Sequence, residues 1–372
     1  MSRRVAFLFL GETLLIPHLY PIVEALAAEA PGLPIDLWVA TSVHEQLLSK
    51  WTRTLGPAVR IRRAPGYRAF PGYEDGQNPP LPAKLPMLAR LAPYLARARV
   101  VVCAEQTSLW LPTLIPMPSR FIKTSHGVGS MSARDDRRRR SAWRLLVPSE
   151  RERRTYLDRG FDPARVVATG YVKSAFRSPT RHKPWFAEER PVLLYAPHWQ
   201  RHRSSWWRWG PEVIEQLVAQ QRYNVILAPH QRLVEKAEDL RPVLERAARH
   251  RHVHCDIDSF AMVDGSYTRA ADVYLGDTSS QVIEFLARPR PCLFLNARDA
   301  EWRDDPSYAM WSAGPVLDTV DDLPGAIEGA VASHAAYLPA QEELARSSLG
   351  EVGPAAPVNA ARQILEALDQ RH

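Results

Sequence analysis

Short apolar runs alternate with segments of helical periodicity along the whole chain. Val5–Leu10 is the first run, Pro21–Ala30 follows with helical spacing, and Ile35–Ala40 is a second strand. Glu45–Leu55 suits a helix, Val59–Arg62 a short strand and Leu88–Ala98 a helix despite Pro93. Residues 65–86, rich in Pro and Gly, read as a long loop. Val100–Val102 begins a strand reaching Glu105 and Gln106, and the next strand runs into a turn at Ser125-His126-Gly127. Leu145–Val147 is a strand, Ser149 opens a helix through Leu157, and residues 162–169 hold a loop and strand. After a Pro-rich, charged stretch at 177–189 the alternation resumes. Strands are predicted at Val192–Ala196, Asn224–Ala228 and His252–Asp256, with helices at Glu212–Gln221, Leu233–Ala248 and Met262–Ala270. Ala271–Asn296 reads as strand, turn, helix, strand. Leu317–Val320 and Leu323–Ser333 follow, and Ala355–Leu368 is a last amphipathic helix. Strand and helix in regular alternation predict an α/β protein with parallel, doubly wound sheets.

At 372 residues the chain suits two domains, each with its own core. The pattern divides it into residues 1–175, residues 186–345 and a C-terminal helix within 350–372 that can pack back on the first domain. The opening MSRRVAFLFLGETLL superficially resembles a signal peptide, but its apolar run is interrupted at Gly11-Glu12 and no small-residue cleavage site follows. It reads as a first buried strand, and the protein as cytoplasmic. Cys103, Cys255 and Cys292 have no paired spacing, which argues against disulfides and zinc. His250, His252 and His254 lie in a polar connection without matching carboxylates. No metal is expected.

The net charge of +7 implies an anionic partner: nucleic acid, anionic lipid or a phosphate-rich substrate. The Arg run at 137–140 reads as a solvated face or a contact for lipid headgroups. Arg201–Gly210 interleaves basic residues with Trp206, Trp207 and Trp209. It suits base stacking, a membrane interface, or packing of tryptophans at a domain edge.

Candidate chemistry sits at strand ends. His126 follows one strand, with Gly127 and Gly129 allowing close backbone approach or simply making the turn; His230 follows another. Asp277, Thr278, Ser279 and Ser280 join a strand to a helix, an arrangement that either caps the helix or offers N–H and hydroxyl donors to an anion. No G-x-G-x-x-G follows the first strand, so a nicotinamide dehydrogenase is disfavoured.

In order along residues 120–335, His126-Gly127, Tyr195-Ala196-Pro197-His198-Trp199-Gln200-Arg201, Pro229-His230, Asp272, and Gly276-Asp277-Thr278-Ser279-Ser280 form one constellation. Through these residues the chain resembles the CDP-glycerol glycerophosphotransferases of teichoic acid synthesis. The resemblance implies a GT-B fold, two Rossmann-like domains facing each other across a cleft. It also implies metal-independent transfer of a phospho-polyol from a CDP-linked donor, CDP-glycerol or similar, to an acceptor hydroxyl. The acceptor implied is a polyol phosphate or glycan, lipid-linked in such pathways, which would bring the protein to an anionic membrane surface; no nucleic acid is expected. Ser279 and Ser280, with Thr278 in the family's tyrosine position, would hold the donor diphosphate. His126 would be the general base and His230 would assist at the phosphates, as its cation, with exchange of the two roles open. Gly127, Asp277, Lys173, Arg201 and Trp199 would support them. The sequence departs from the family pattern after His126, at Val128-Gly129-Ser130, and at Gly170–Ala175, where Lys173 keeps a positive charge but the aspartate is gone. A UDP-sugar glycosyltransferase or a UDP-GlcNAc 2-epimerase-like enzyme shares the architecture and is the alternative. The epimerase would use carboxylates beside the histidines, and none is apparent in the sequence. A basic nucleic-acid-binding protein is a distant third.

Overall fold

A computed structural model describes residues 2–73, 77–128, 137–177 and 185–370. The chain forms two compact units, Met1–Ser178 with Ser347–His372, and Pro179–Arg346.

The first unit is built on a seven-stranded sheet: β1 (Ser2–Phe9), β2 (Ile35–Thr41), β3 (Val59–Arg68), β4 (Ala98–Cys103), β5 (Arg120–Thr124), β6 (Arg144–Val147) and β7 (Val166–Ala168). Its order is β3-β2-β1-β4-β5-β6-β7 and every pair is parallel. β1, β2 and β4 are near-continuous apolar runs because helices cover both sheet faces. The strand order reverses between β1 and β4, the place where open α/β sheets leave a crevice at the strand C-terminal ends. The Ala355–Asp369 helix packs against Tyr20–Glu29 and buries Ala356, Ala360, Ala361 and Ile364. Gly170 permits this return, with a φ of 95° and an approach to Glu351 O so close that a Cβ would stand 2.5 Å from it.

The second unit holds β8 (Val192–Ala196), β9 (Asn224–Leu227), β10 (Val253–Cys255), β11 (Val273–Gly276), β12 (Cys292–Leu295) and β13 (Val316–Leu317), in the order β10-β9-β8-β11-β12-β13, again all parallel. Its switch point lies between β8 and β11.

Several elements differ from expectation. β3 extends from Val59 through Pro65 and Gly66 to Arg68, so the loop is shorter than the Pro/Gly content suggests. It is an edge strand, where proline's missing N–H removes no ladder bond. The long helix predicted over Leu233–Ala248 is two, Gln231–Val234 and Leu240–Ala247, because Pro242 is accommodated only in a helix's first turn. Met262–Ala270 likewise splits at Gly265, left-handed at φ 85°, into a turn at Phe260–Met262 and a helix at Ser266–Ala270. The basic tryptophan stretch is helical from Trp206, with Trp206 and Trp209 in the core of the unit. The His334–Leu349 helix had no counterpart in the sequence pattern. Among the described residues no helix is long and apolar enough to cross a membrane.

Candidate active-site residues in the two units

In the second unit the loops leaving β8 and β11 meet at the switch point. Asp277, wholly buried, accepts the backbone N–H of His198 at 2.8 Å and that of Ser205 at 3.0 Å. Its carboxylate thus pins both ends of the loop that follows β8. Burial pushes its pKa up to about 7, against the pull of these N–H groups. Tyr195, near the end of β8, and Ser205 in the loop share a hydroxyl hydrogen bond of 2.9 Å.

This pinning brings His198 next to His230, which follows β9; their rings are 5.9 Å apart. Both imidazoles have the same local geometry. His198 Nδ1 accepts the N–H of Gln200 at 3.2 Å and His230 Nδ1 accepts that of Arg232 at 3.1 Å, capping the next helix. An acceptor Nδ1 fixes the proton on Nε2, so each ring is a neutral Nε2–H donor. Burial, the neighbouring imidazole and nearby Arg203 and His202 lower His198 to about 3; burial and then Arg232 lower His230 to about 4. The expectation of a protonated His230 is therefore corrected: it is a neutral donor in this state of the protein.

Stability against acid follows from these values. Both folded pKa values lie below the ordinary 6.5, so above pH 6.5 neither ring affects the pH dependence. As pH falls from 6.5 towards 4 the unfolded chain takes up protons that the folded unit refuses, and stability is lost. Asp277, raised rather than lowered, works in the opposite sense between about pH 4 and 7. Replacing His230 with Asn should reduce the loss between pH 6.5 and 4.5 by about 2 kcal/mol, as read from urea midpoints at the two pH values. An unchanged difference between them would show that His230 is not held neutral.

The hydroxyl cluster is divided in its duties. Thr278 donates inward to Ser307 O at 3.0 Å, and Ser279 Oγ caps the Ser280–Phe285 helix by accepting from Gln281 N at 3.2 Å. Ser279 N–H meets only the thioether of Met310, at 3.0 Å, and thioether sulfur is a weak acceptor. The Ser280 hydroxyl is partly exposed and makes no hydrogen bond among the described residues. Trp199 lies 6.1 Å from the His230 ring, and Arg201 stacks over Trp207 at 4.5 Å.

In the first unit His126 is exposed two residues past β5, and its Nδ1 bonds Ala104 O, at the end of β4, at 3.0 Å. A carbonyl can only accept, so here Nδ1 carries the proton and Nε2 is left basic. This is the opposite tautomer to His198 and His230. His18, at the end of the turn Thr13–His18, is buried, meets Tyr171 edge-on at 5.7 Å, and has an Nδ1 without a partner among the described residues. Its pKa is held well below the ordinary value by burial and then by Lys173, His126 and Lys123. Lys123 is itself buried; burial, then Arg139, bring it down to about 8, and its Nζ donates to Thr124 O at 3.1 Å. Neither His18 nor Lys123 stood out in the sequence, because neither sits in a motif. Gly127 has no steric need to be glycine, since a Cβ there meets open space; Gly129 lies outside the described residues.

Two acids that the sequence did not reveal lie near the His126 turn, and both are engaged. Glu105, after β4, pairs with Lys84 and accepts from Thr107 and Ser108. Glu152, buried, accepts from Ser125 Oγ at 3.1 Å, one residue before His126. The arginine run is similarly occupied. Arg138 stacks on Trp110, Arg139 is buried and bonds Tyr156 Oη, and Arg140 stacks on Phe161 and bonds the carbonyls of Arg159 and Gly160. Three of these four arginines are thus tied to their own unit rather than displayed as a free basic face.

No protein-family model matches the chain, and no curated protein matches it in sequence. Solved structures match it in fold. The wall teichoic acid polymerase TagF superposes with a TM-score of 0.65 at 14% identity, covering 98% of this chain and 89% of that one. The UDP-GlcNAc 2-epimerase of Neisseria meningitidis bound to UDP-GlcNAc gives 0.62 at 13%, covering 98% and 99%. S. aureus MnaA in complex with UDP gives 0.59 at 13%, covering 98% and 95%. The two parallel α/β units and these likenesses establish a two-domain, Rossmann-like GT-B fold.

Proposed function

We propose that this chain is a transferase that moves a phospho-polyol of the glycerol phosphate type from a CDP-linked donor to an acceptor hydroxyl in the synthesis of a cell-surface polymer or glycan. The observation that carries the reading is the set of histidine tautomers: one basic Nε2 at His126 and paired Nε2–H donors at His198 and His230. Phosphoryl transfer needs those two functions, a base for the attacking hydroxyl and donors for the phosphate oxygens. His126 Nε2 takes the acceptor's proton as its oxygen bonds to the donor's β-phosphorus. The bond from that phosphorus to the bridging oxygen breaks, and CMP leaves. His230, with His198, donates to the phosphate oxygens. The donor diphosphate is held by the Ser280 hydroxyl and by Ser279 N–H, whose thioether contact a phosphate oxygen replaces, while Thr278 and Asp277 hold the loop in place. Lys173 adds positive charge for an anionic, lipid-linked acceptor, and the protein works in the cytoplasm at the inner membrane face.

Thermal shift with CDP-glycerol, CMP, UDP and UDP-GlcNAc tests this. Cytidine ligands at about a hundredfold excess over Kd should add about 2.7 kcal/mol of stability, and Ser280→Ala, which removes the one side-chain donor assigned to the diphosphate, should reduce that gain by about 1 kcal/mol. Stabilisation by uridine ligands alone would replace this reading with a nucleotide-sugar enzyme of the epimerase or glycosyltransferase kind. The buried Glu152 beside the Ser125-His126 turn is the feature that favours that second reading.

A further inference from the structure

The transfer chemistry leaves the tryptophan-rich stretch after β8 unused. Trp199, Gln200, Arg201, His202, Trp207 and Lys236 line a pocket of about 390 Å³ in the second unit. Two indoles form aromatic walls and each carries a cation. Lys236 Nζ stands 4.3 Å over Trp199, and the Arg201 guanidinium 4.5 Å over Trp207. Arg232 adds a third cation 5.2 Å over Trp199. Contact with an aromatic face holds a cation in place without neutralising it. No acid lines the pocket, and neither Arg201 nor Lys236 forms an ion pair among the described residues. The volume exceeds that of a lone ion and falls in the range of small-molecule sites. The pocket borders the imidazole pair, since the Trp199 ring is 5.9 Å from His198 and 6.1 Å from His230.

We infer that this pocket is a phosphate-ester subsite separate from the nucleotide site, taking a phosphorylated polyol with its phosphate on Lys236 and Arg201 and its C–H edge against Trp199. The polyol identity and the placement beside the reaction rest on the transferase reading; the phosphate-ester site does not.

Calorimetry on the full chain with sn-glycerol 3-phosphate, and separately with CMP, tests it. Lys236→Glu should weaken glycerol 3-phosphate roughly tenfold or more, and Lys236→Ala, which removes the charge without reversing it, should weaken it several-fold. CMP affinity should not change in either variant. Glycerol as a control should not bind. Wild-type affinity for glycerol 3-phosphate in Lys236→Glu overturns the inference, as does failure of the wild type to bind it. An equal loss of CMP and glycerol 3-phosphate also overturns it, because the pocket is then part of the nucleotide's own phosphate seat. Co-sedimentation with phosphatidylglycerol but not phosphatidylcholine vesicles, lost in the same variants, identifies a lipid headgroup as the source of the ester. Binding of the soluble ester without vesicle binding identifies a free polyol phosphate. If glycerol 3-phosphate binds and CMP does not, the CDP-donor reading falls and the pocket stands.

Discussion

Asp277→Ala is expected to destabilise the second unit by about 3 kcal/mol, the cost of leaving the His198 and Ser205 N–H groups buried without an acceptor. The carboxylate is wholly enclosed and no other described side chain accepts from these two groups, so the β8 loop loses its anchor together with the stability. Asp277→Asn separates the two effects. One carboxamide oxygen still accepts, but its NH₂ opposes an N–H, so the loop is only partly held. The charge also disappears. In the wild type, a pKa of about 7 in the fold against 3.8 outside it means that the folded unit keeps a proton that the unfolded chain has already released. Stability attributable to Asp277 therefore falls as pH rises from about 4 to 7 and is level above that. The penalty for Asn should accordingly be greatest near pH 4 to 5 and shrink by a few kcal/mol towards pH 7. Urea denaturation of the two proteins across this range reads it directly. A penalty that does not change with pH would mean that the buried carboxylate is ionised throughout.

The fold was legible because its signal is local. Both sheets are parallel and covered by helices, so most strands appear as short unbroken apolar runs with a helical period between them. Legibility failed where that condition failed. β3 lies at the sheet edge, alternates polar and apolar residues and carries Pro65, so only its first part reads as strand. Trp206 and Trp209 lie in a cationic stretch that resembles a surface, yet they fill the core while the one cation between them, Arg208, reaches out to pair with Asp299. The site was legible as positions and not as chemistry. His126 and His230 follow strands, and the 277–280 turn opens a helix, all of which the sequence shows. What each group does depends on partners far along the chain. Asp277 meets Ser205 and His198, 72 and 79 residues away, and His126 takes its tautomer from Ala104, 22 residues away. His18 meets the ring of Tyr171, more than 150 residues later. No spacing rule reaches that far.

Those distant partners make the two histidine roles separable by one kind of substitution. Asparagine places its polar atoms where Nδ1 was and leaves nothing at Nε2. In His126→Asn the amide NH₂ can still donate to Ala104 O, and in His230→Asn the amide oxygen can still accept from Arg232 N and cap its helix. Each variant should therefore fold as the wild type does while losing only the atom assigned to chemistry. With CDP-glycerol and a glycerol-phosphate-terminated acceptor, His126→Asn should lower kcat by about 10²- to 10⁴-fold, the usual contribution of a general base. The acidic limb of the pH–rate profile should disappear with it. His230→Asn removes a donor to the phosphate and should cost about 10²-fold, with the profile unchanged in shape. Glutamine at 230 carries its NH₂ close to the Nε2 position and should recover part of that loss, whereas glutamine at 126 supplies no base and should recover none. Recovery at 126 in place of 230 would reverse the two roles. Full activity in either asparagine variant would remove that histidine from the reaction.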